Sequence, residues 1–213
     1  MTSILAGGGM FRAPETIEPM LSELREIVPG SLSVKTRSGI DDERQIFEVM
    51  PEFEAAGVDF LVVHSRTVQQ RYTGHANHDL TREIVERSGL PVIANGDVST
   101  SAGAAEVLER TGAVGLMLGR GAVADPWLFN RIRGTAPDKP QGDERRRELA
   151  GHLSLLLGSY EGIFHGDAQI LAKMKSVVAM IEDPDQTKWL KSLKKQKRVD
   201  SLQSLLNEST VFE

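Results

Sequence analysis

Four short apolar runs, each followed by a helical pattern, constrain this chain more than any other feature. They are Leu32-Ser33-Val34-Lys35, Phe60-Leu61-Val62-Val63-His64, Pro91-Val92-Ile93-Ala94 and Val114 to Leu118. Each runs into a polar or glycine tip: Gly39, His64 itself, Asn95-Gly96-Asp97, and Gly119-Arg120-Gly121. Between them, residues 14–28 place Ile17, Met20, Leu21, Leu24, Ile27 and Val28 on one helical face, with Pro19 making the start ragged. Residues 41–56 read as a helix kinked or restarted at Pro51, residues 79–88 as another, and Thr100 or Ser101 caps one that ends near Thr111. Apolar strands separated by single helices mean a parallel sheet covered by helices. Four such units make half of an eight-stranded (β/α)8 barrel, or a small open sheet of their own.

After Gly134 the pattern changes. Residues 135–142, Thr-Ala-Pro-Asp-Lys-Pro-Gln-Gly, read as a linker, and 143–213 carry helical periods without a strand signal. Leu149, Leu153, Leu156 and Tyr160 share a face, as do Ile170, Met174, Val177 and Ile181, and Leu202, Leu205 and Leu206 suggest a last helix. The expected organisation is an α/β portion, 1–134, and a small all-α domain, 143–213. Residues 1–142 hold 14 basic and 19 acidic side chains against 11 and 11 in 143–213, so the net charge of −5 resides in the α/β part. That balance excludes a uniformly basic nucleic-acid binder but leaves room for a local basic face. The chain has no Cys, which excludes a disulfide scaffold, a thiolate zinc site and a Cys nucleophile among these residues. No apolar run is long enough to span a membrane, and the first residues lack a signal-peptide pattern, so the expected location is cytoplasmic.

In parallel α/β architectures ligands sit at the C-terminal ends of the strands. That rim would gather Lys35 with Arg37, His64 with Arg66, Asn95-Gly96-Asp97, and Gly119-Arg120. Each has an ordinary reading: Asn-Gly is a common turn pair, a lone His at a strand end is usually a structural hydrogen bonder, and Lys35 at a sheet edge is usually solvated. Together they put several cations, an imidazole and two glycine turns on one rim, which suits an anion. Glycine lets backbone N–H groups approach phosphate oxygens, and Arg120 would add a charge-assisted contact, so a phosphorylated cofactor is expected.

As a set, Val34-Lys35-Thr36-Arg37-Ser38-Gly39, Val63-His64-Ser65-Arg66-Thr67, Gln70-Arg71-Tyr72-Thr73-Gly74, Ile93-Ala94-Asn95-Gly96-Asp97-Val98 and Met117-Leu118-Gly119-Arg120-Gly121, followed by Asp125-Pro126-Trp127-Leu128-Phe129, resemble the tRNA-dihydrouridine synthases in order and spacing. The resemblance runs from about residue 7 to residue 134 and continues loosely into 152–160. It implies the last four units of a flavin-dependent TIM barrel followed by a helical RNA-binding domain. The implied activity is reduction of uridine to dihydrouridine in tRNA with FMN and NADPH. It assigns Lys35 and His64 to the flavin or the uracil, and Asn95, Gly96, Asp97, Gly119 and Arg120 to holding FMN. Arg37 and Arg66 would meet uracil carbonyls or an RNA phosphate. The general-acid Cys of the family would fall upstream of Met1, leaving this chain without a catalytic acid. His78 stands where the resemblance leads one to expect an aromatic residue.

Lys188, Lys191, Lys194, Lys195, Lys197 and Arg198 fall close together with no acid among them. Such a run is either a solvated helix face beside Leu190 and Leu193 or a patch that tracks RNA phosphates. Trp189 is expected in the core rather than stacked on a base. Two other functions compete with the synthase: another FMN barrel, such as a relative of dihydroorotate dehydrogenase, and a non-catalytic RNA-binding relic of the enzyme. A half barrel also implies self-association or a separate N-terminal half.

Overall fold

Alternation along the strands decides which side chains meet the helices and which are left for a ligand. The computed structural model describes residues 7–210. After two short 3-10 segments, Gly7–Arg12 and Pro14–Thr16, the elements are α1 (Ile17–Ile27), β1 (Ser33–Arg37), α2 (Ile46–Ala55), β2 (Phe60–His64), α3 (His78–Arg87), β3 (Val92–Asn95), α4 (Ser101–Thr111) and β4 (Gly115–Met117). The helices that follow are α5 (Arg120–Ala124), α6 (Leu128–Ile132), α7 (Gly142–Glu161), α8 (Asp167–Met180), α9 (Thr187–Lys195) and α10 (Val199–Thr210). The four strands form one parallel sheet in sequence order, β1-β2-β3-β4. The chain is thus α/β with a parallel sheet and helices, as the apolar runs imply. No described helix is long and apolar enough to cross a membrane.

Local sequence explains the boundaries. Pro19 sits in the first turn of α1, where its missing N–H costs nothing, and the ragged start takes the form of the 3-10 turn at Pro14–Thr16. The helix expected from residue 41 begins only at Ile46. Asp42 instead accepts from Arg44 N at 2.8 Å in a side-chain-capped turn, and Pro51 is carried inside α2. Asn77 caps α3 by accepting from Leu80 N at 3.1 Å.

Contacts divide the chain into two units: the residues up to Val98 with Ala102–Leu118, and Ser99–Ser101 with the chain from Gly119 onward. The boundary falls at the end of β4, earlier than the linker at 135–142, so α5 and α6 belong with the later helices. In the first unit Leu61, Val63 and Val92 of the sheet pack with Ile46, Val49, Met50 and Phe53 of α2, Leu80 and Ile84 of α3, and Ile17 and Leu21 of α1. In the second, Leu149, Leu153 and Leu157 of α7 join Ile170, Met174 and Val178 of α8, Trp189, Leu190 and Leu193 of α9, and Leu202 and Leu206 of α10. Trp189 is 8% exposed, a core residue.

A buried ionic network locks the second unit. Arg145, 1% exposed, donates from Nε to Asp183 Oδ2 at 3.2 Å, from Nη2 to Ala124 O at 2.6 Å, and from Nη1 to Glu148 Oε1. Arg131 joins Glu148 Oε2 at 2.5 Å to Asp125 and also donates to Pro137 O at 3.0 Å. Lys139 adds a second cation 3.2 Å from Asp183, and Asp125 accepts from Trp127 N at 3.1 Å. The segment Asp125-Pro126-Trp127 is thereby tied to α7 and to the turn after α8. Every carboxylate in the network meets at least one guanidinium, so its burial is compensated.

Candidate functional site

The register of the sheet defines the site. Because Leu61, Val63 and Val92 face the helices, the alternate positions face the other way. Two rows result: Lys35, Val62, Ile93 and Gly115, and, one step nearer the C-terminal edge, Arg37, His64, Asn95 and Met117. Lys35, Arg37, His64 and Asn95 therefore share one face of the first unit. Sequence order alone puts them on a rim; the alternation shows that they share a face.

Loops after the strands hold this row in place. Arg37 donates from Nη1 to Arg71 O at 2.7 Å and to Thr67 O at 3.2 Å, and its guanidinium lies 5.3 Å from the centre of the Tyr72 ring. Tyr72, 61% exposed, also lies 6.2 Å from the His64 ring. The sequence motif that contains Tyr72 assigns it no role. An exposed aromatic in a polar loop just beyond a strand tip is the signal that would have found it. Asn95 donates from Nδ2 to Met117 O at 2.8 Å and so links the ends of β3 and β4.

Arg66 is 1% exposed and lies beneath the rim. Its Nη2 donates to Asp97 Oδ1 at 2.9 Å and Oδ2 at 2.7 Å and to Gly74 O at 2.6 Å, while Nη1 lies 3.1 Å from His64 Nε2. Asp97 also accepts from Ala76 N at 2.7 Å. Burial alone would raise the Asp97 pKa, but the Ala76 N–H and Arg66 outweigh it and hold the carboxyl below its ordinary value. The expected site residues Arg66 and Asp97 thus form one brace between the 74–76 loop and the end of β3. Asp97 adopts φ +55 and Gly96 φ +132, a sharp reversal that leaves no room for a side chain at residue 96. His78 Nε2 closes the turn on Gly96 O at 3.2 Å. His78, at the position where the resemblance implies an aromatic, is thereby part of the support for Gly96.

Burial and the neighbouring cations set the titration of the site. His64 is lowered from 6.5 to about 4, by burial first and then by Arg37, Arg66 and Lys35, against a smaller opposing effect of Asp97. Lys35 is lowered as well, by burial and then by Arg37. His64 is therefore neutral at neutral pH. The unfolded chain binds protons at His64 below about pH 6.5 that the folded chain refuses until about pH 4, so stability falls as pH drops through that window. His78 and His152, both lowered chiefly by burial, act in the same direction. Urea unfolding at a series of pH values is expected to show this acid loss, with a shallower slope in His64→Gln. An identical slope in the variant would contradict the buried, neutral assignment.

Gly119 and Arg120 follow β4 after Leu118 and open the second unit, Gly119 at the N-cap of α5. In that unit α9 buries Trp189, Leu190 and Leu193 and leaves Lys188, Lys191, Lys194 and Lys195 exposed, followed by exposed Lys197 and Arg198. The helix is amphipathic, with a cationic outer face.

The sequence is similar to those of known proteins. The sequence model of the dihydrouridine synthase (Dus) family matches residues 1–210. The tRNA-dihydrouridine synthase B of Vibrio parahaemolyticus is 35% identical over 167 residues, covering 74% of this chain and 52% of that protein. The probable tRNA-dihydrouridine synthase of Rickettsia prowazekii is 34% identical over 162 residues, 74% of this chain and 48% of that protein. The chain thus spans about half the length of the curated relatives it matches. With the family model matching almost its whole length, this chain belongs to the dihydrouridine synthase family.

Proposed function

We propose that this chain is the flavin-binding and RNA-binding portion of a tRNA-dihydrouridine synthase, an FMN-dependent enzyme that reduces uridine in tRNA with NADPH. On this reading its sheet is the second half of a (β/α)8 barrel and residues 143–213 are the helical tRNA-binding domain. The observation that carries it is the row of Lys35, Arg37, His64 and Asn95 on one sheet face. The names of the relatives do not favour another flavin barrel or a non-catalytic relic.

The donor set fits the flavin ring. Lys35 brings a cation and His64 a neutral imidazole to the same face, the groups that tune a ring whose reduced form is anionic. Bound FMN would supply the hydride for the uracil ring. Lys35 would hold the negative charge of the reduced ring by proximity, and His64 would contribute a hydrogen bond without a charge. Arg37, steadied by two carbonyls, keeps donors for a uracil carbonyl or an RNA phosphate. Asp97 would serve through the backbone it shapes, because a carboxylate repels phosphate. The phosphate role of Gly119 and Arg120 rests on their place after β4. A uridine in folded RNA must be extruded to reach such a face, at a cost of about a few kcal/mol that interactions elsewhere offset. The cationic face of α9 is suited to that work. Protonation of the uracil needs an acid, and His64, neutral at physiological pH, is a poor one.

The full chain is expected to bind FMN saturably, measured by titration of flavin fluorescence. It is also expected to bind unmodified tRNA with an affinity that falls steeply with salt. Replacing Lys188, Lys191, Lys194 and Lys195 by Ser should weaken tRNA binding and reduce the salt slope by about one for each phosphate no longer neutralised. An unchanged slope in a gel-shift series would remove α9 from the RNA surface.

A further inference from the structure

We propose that Arg66 is a positioning residue for His64. By donating to Nε2 it fixes the neutral ring with its proton on Nδ1, so that His64 presents a hydrogen-bond donor on the open sheet face to a carbonyl oxygen or an unprotonated ring nitrogen of the ligand. The ligand part rests on the reading of that face as the flavin and uracil site; the tautomer does not. A guanidinium only donates, so the imidazole nitrogen 3.1 Å from Arg66 Nη1 must be the acceptor. Nδ1 has no hydrogen-bond partner among the described residues, and it is not one of the sealed, unpartnered polar atoms, which there are Ser38 Oγ, Arg66 Nε, Ser154 Oγ and Trp189 Nε1.

The brace behind the contact is overdetermined. Asp97 grips Arg66 Nη2 with both oxygens and Gly74 O takes a further bond from the same nitrogen, which leaves Nη1 aimed at the ring. Arg66 Nε is buried without a partner. Leaving a guanidinium N–H unpaired is costly, and it is tolerated here in a geometry that puts Nη1 on His64. Burial first, and then Arg37, Arg66 and Lys35 against the opposing Asp97, keep a second proton off the ring. Gly96 completes the seat, since a Cβ there would come 3.4 Å from Nε2 and 3.1 Å from Cδ2. Arg66 is thus placed to act through His64, not on the ligand.

The test is made on the 213-residue chain without ligand, labelled with 15N-histidine, so its outcome is separate from whether flavin binds. Long-range proton–nitrogen correlation spectra, with His64 assigned through His64→Asn, should show a protonated Nδ1 and an unprotonated Nε2 from about pH 8 down to about pH 5. Arg66→Met should give a mixture of the two tautomers and a His64 titration shifted upward toward its ordinary value. Arg66→Lys, which can still donate to Nε2, should retain the Nδ1-protonated form. A wild-type spectrum with the proton on Nε2 would overturn the proposal, even if the Arg66 variants failed to fold. So would a folded Arg66→Met chain with the wild-type tautomer.

Discussion

The Arg145→Ala chain is expected to be less stable than wild type by about 3–5 kcal/mol, the usual cost of removing one member of a buried ionic network. The size follows from what the truncation leaves behind. Asp183 would keep only the partly exposed Lys139, Glu148 would keep only Arg131, and Ala124 O would be left without its donor. Asp183 is held below the ordinary carboxylate range because Arg145 and Lys139 outweigh its burial, so losing Arg145 removes part of that compensation. Both tryptophans, Trp127 and Trp189, lie in this unit, so urea unfolding followed by tryptophan fluorescence reports on it directly. Arg146→Ala is the contrast. Arg146 pairs with the exposed Asp143 at 3.7 Å and donates to Gln186 at 3.0 Å, and it should cost about 1 kcal/mol or less. Equal losses in the two variants would mean that the network is no stronger than a surface pair.

Gly96→Ala is expected to damage stability and site together. At φ +132 an alanine is strained, at about 1–3 kcal/mol for a non-glycine residue in a sparsely populated region. Its Cβ would also sit 2.6 Å from Ala76 Cβ and 3.1 Å from His64 Cδ2, an overpacking that adds about 1–3 kcal/mol. Relief requires the 74–76 loop or the imidazole to move, and either motion disturbs Arg66 and Asp97. Gly134→Ala, at φ +69 with nothing within 4 Å of the added Cβ, carries only the backbone cost of about 1–2 kcal/mol. Thermal unfolding of the two variants should separate them clearly. Equal melting temperatures would show that the turn yields without cost.

Much of the sheet is legible in the sequence because its helix-facing positions are apolar. The first apolar run stops at Lys35, yet β1 continues to Arg37. Its last positions alternate polar residues toward the face away from the helices, and apolar continuity is blind to them. The rim residues are recoverable because strand tips in parallel sheets are where ligands bind, and alternation along the sheet puts four of them on one face. The brace is not legible. Arg66 reads as a partner for uracil carbonyls or an RNA phosphate, and only the fold, with Asp97 at positive φ, brings that carboxylate onto it. Nothing in the sequence singles out Arg145 from its neighbours Arg146 and Arg147. Only the third dimension brings Asp183 to Arg145 and leaves Arg147 exposed. The division of the chain at Gly119 is hidden by the proline-rich linker further on, a stronger local signal than the packing that attaches α5 and α6 to the later helices.

The most direct measurement is equilibrium titration of the full chain with FMN, followed by quenching of flavin fluorescence, in parallel with Lys35→Met, His64→Ala and Arg120→Ala. Removing a hydrogen bond or contact that involves a charged group costs about 1.5–3 kcal/mol, which corresponds to roughly tenfold or more in affinity. Arg44→Ala, which removes a partner of Glu83 on the helix side of the sheet, serves as the control. Saturable binding is expected for wild type and for Arg44→Ala, with at least about tenfold weaker binding in Lys35→Met and in His64→Ala. A chain that fails to bind FMN, or one that binds it equally well without Lys35 and His64, would contradict the assignment of the open sheet face as the flavin site.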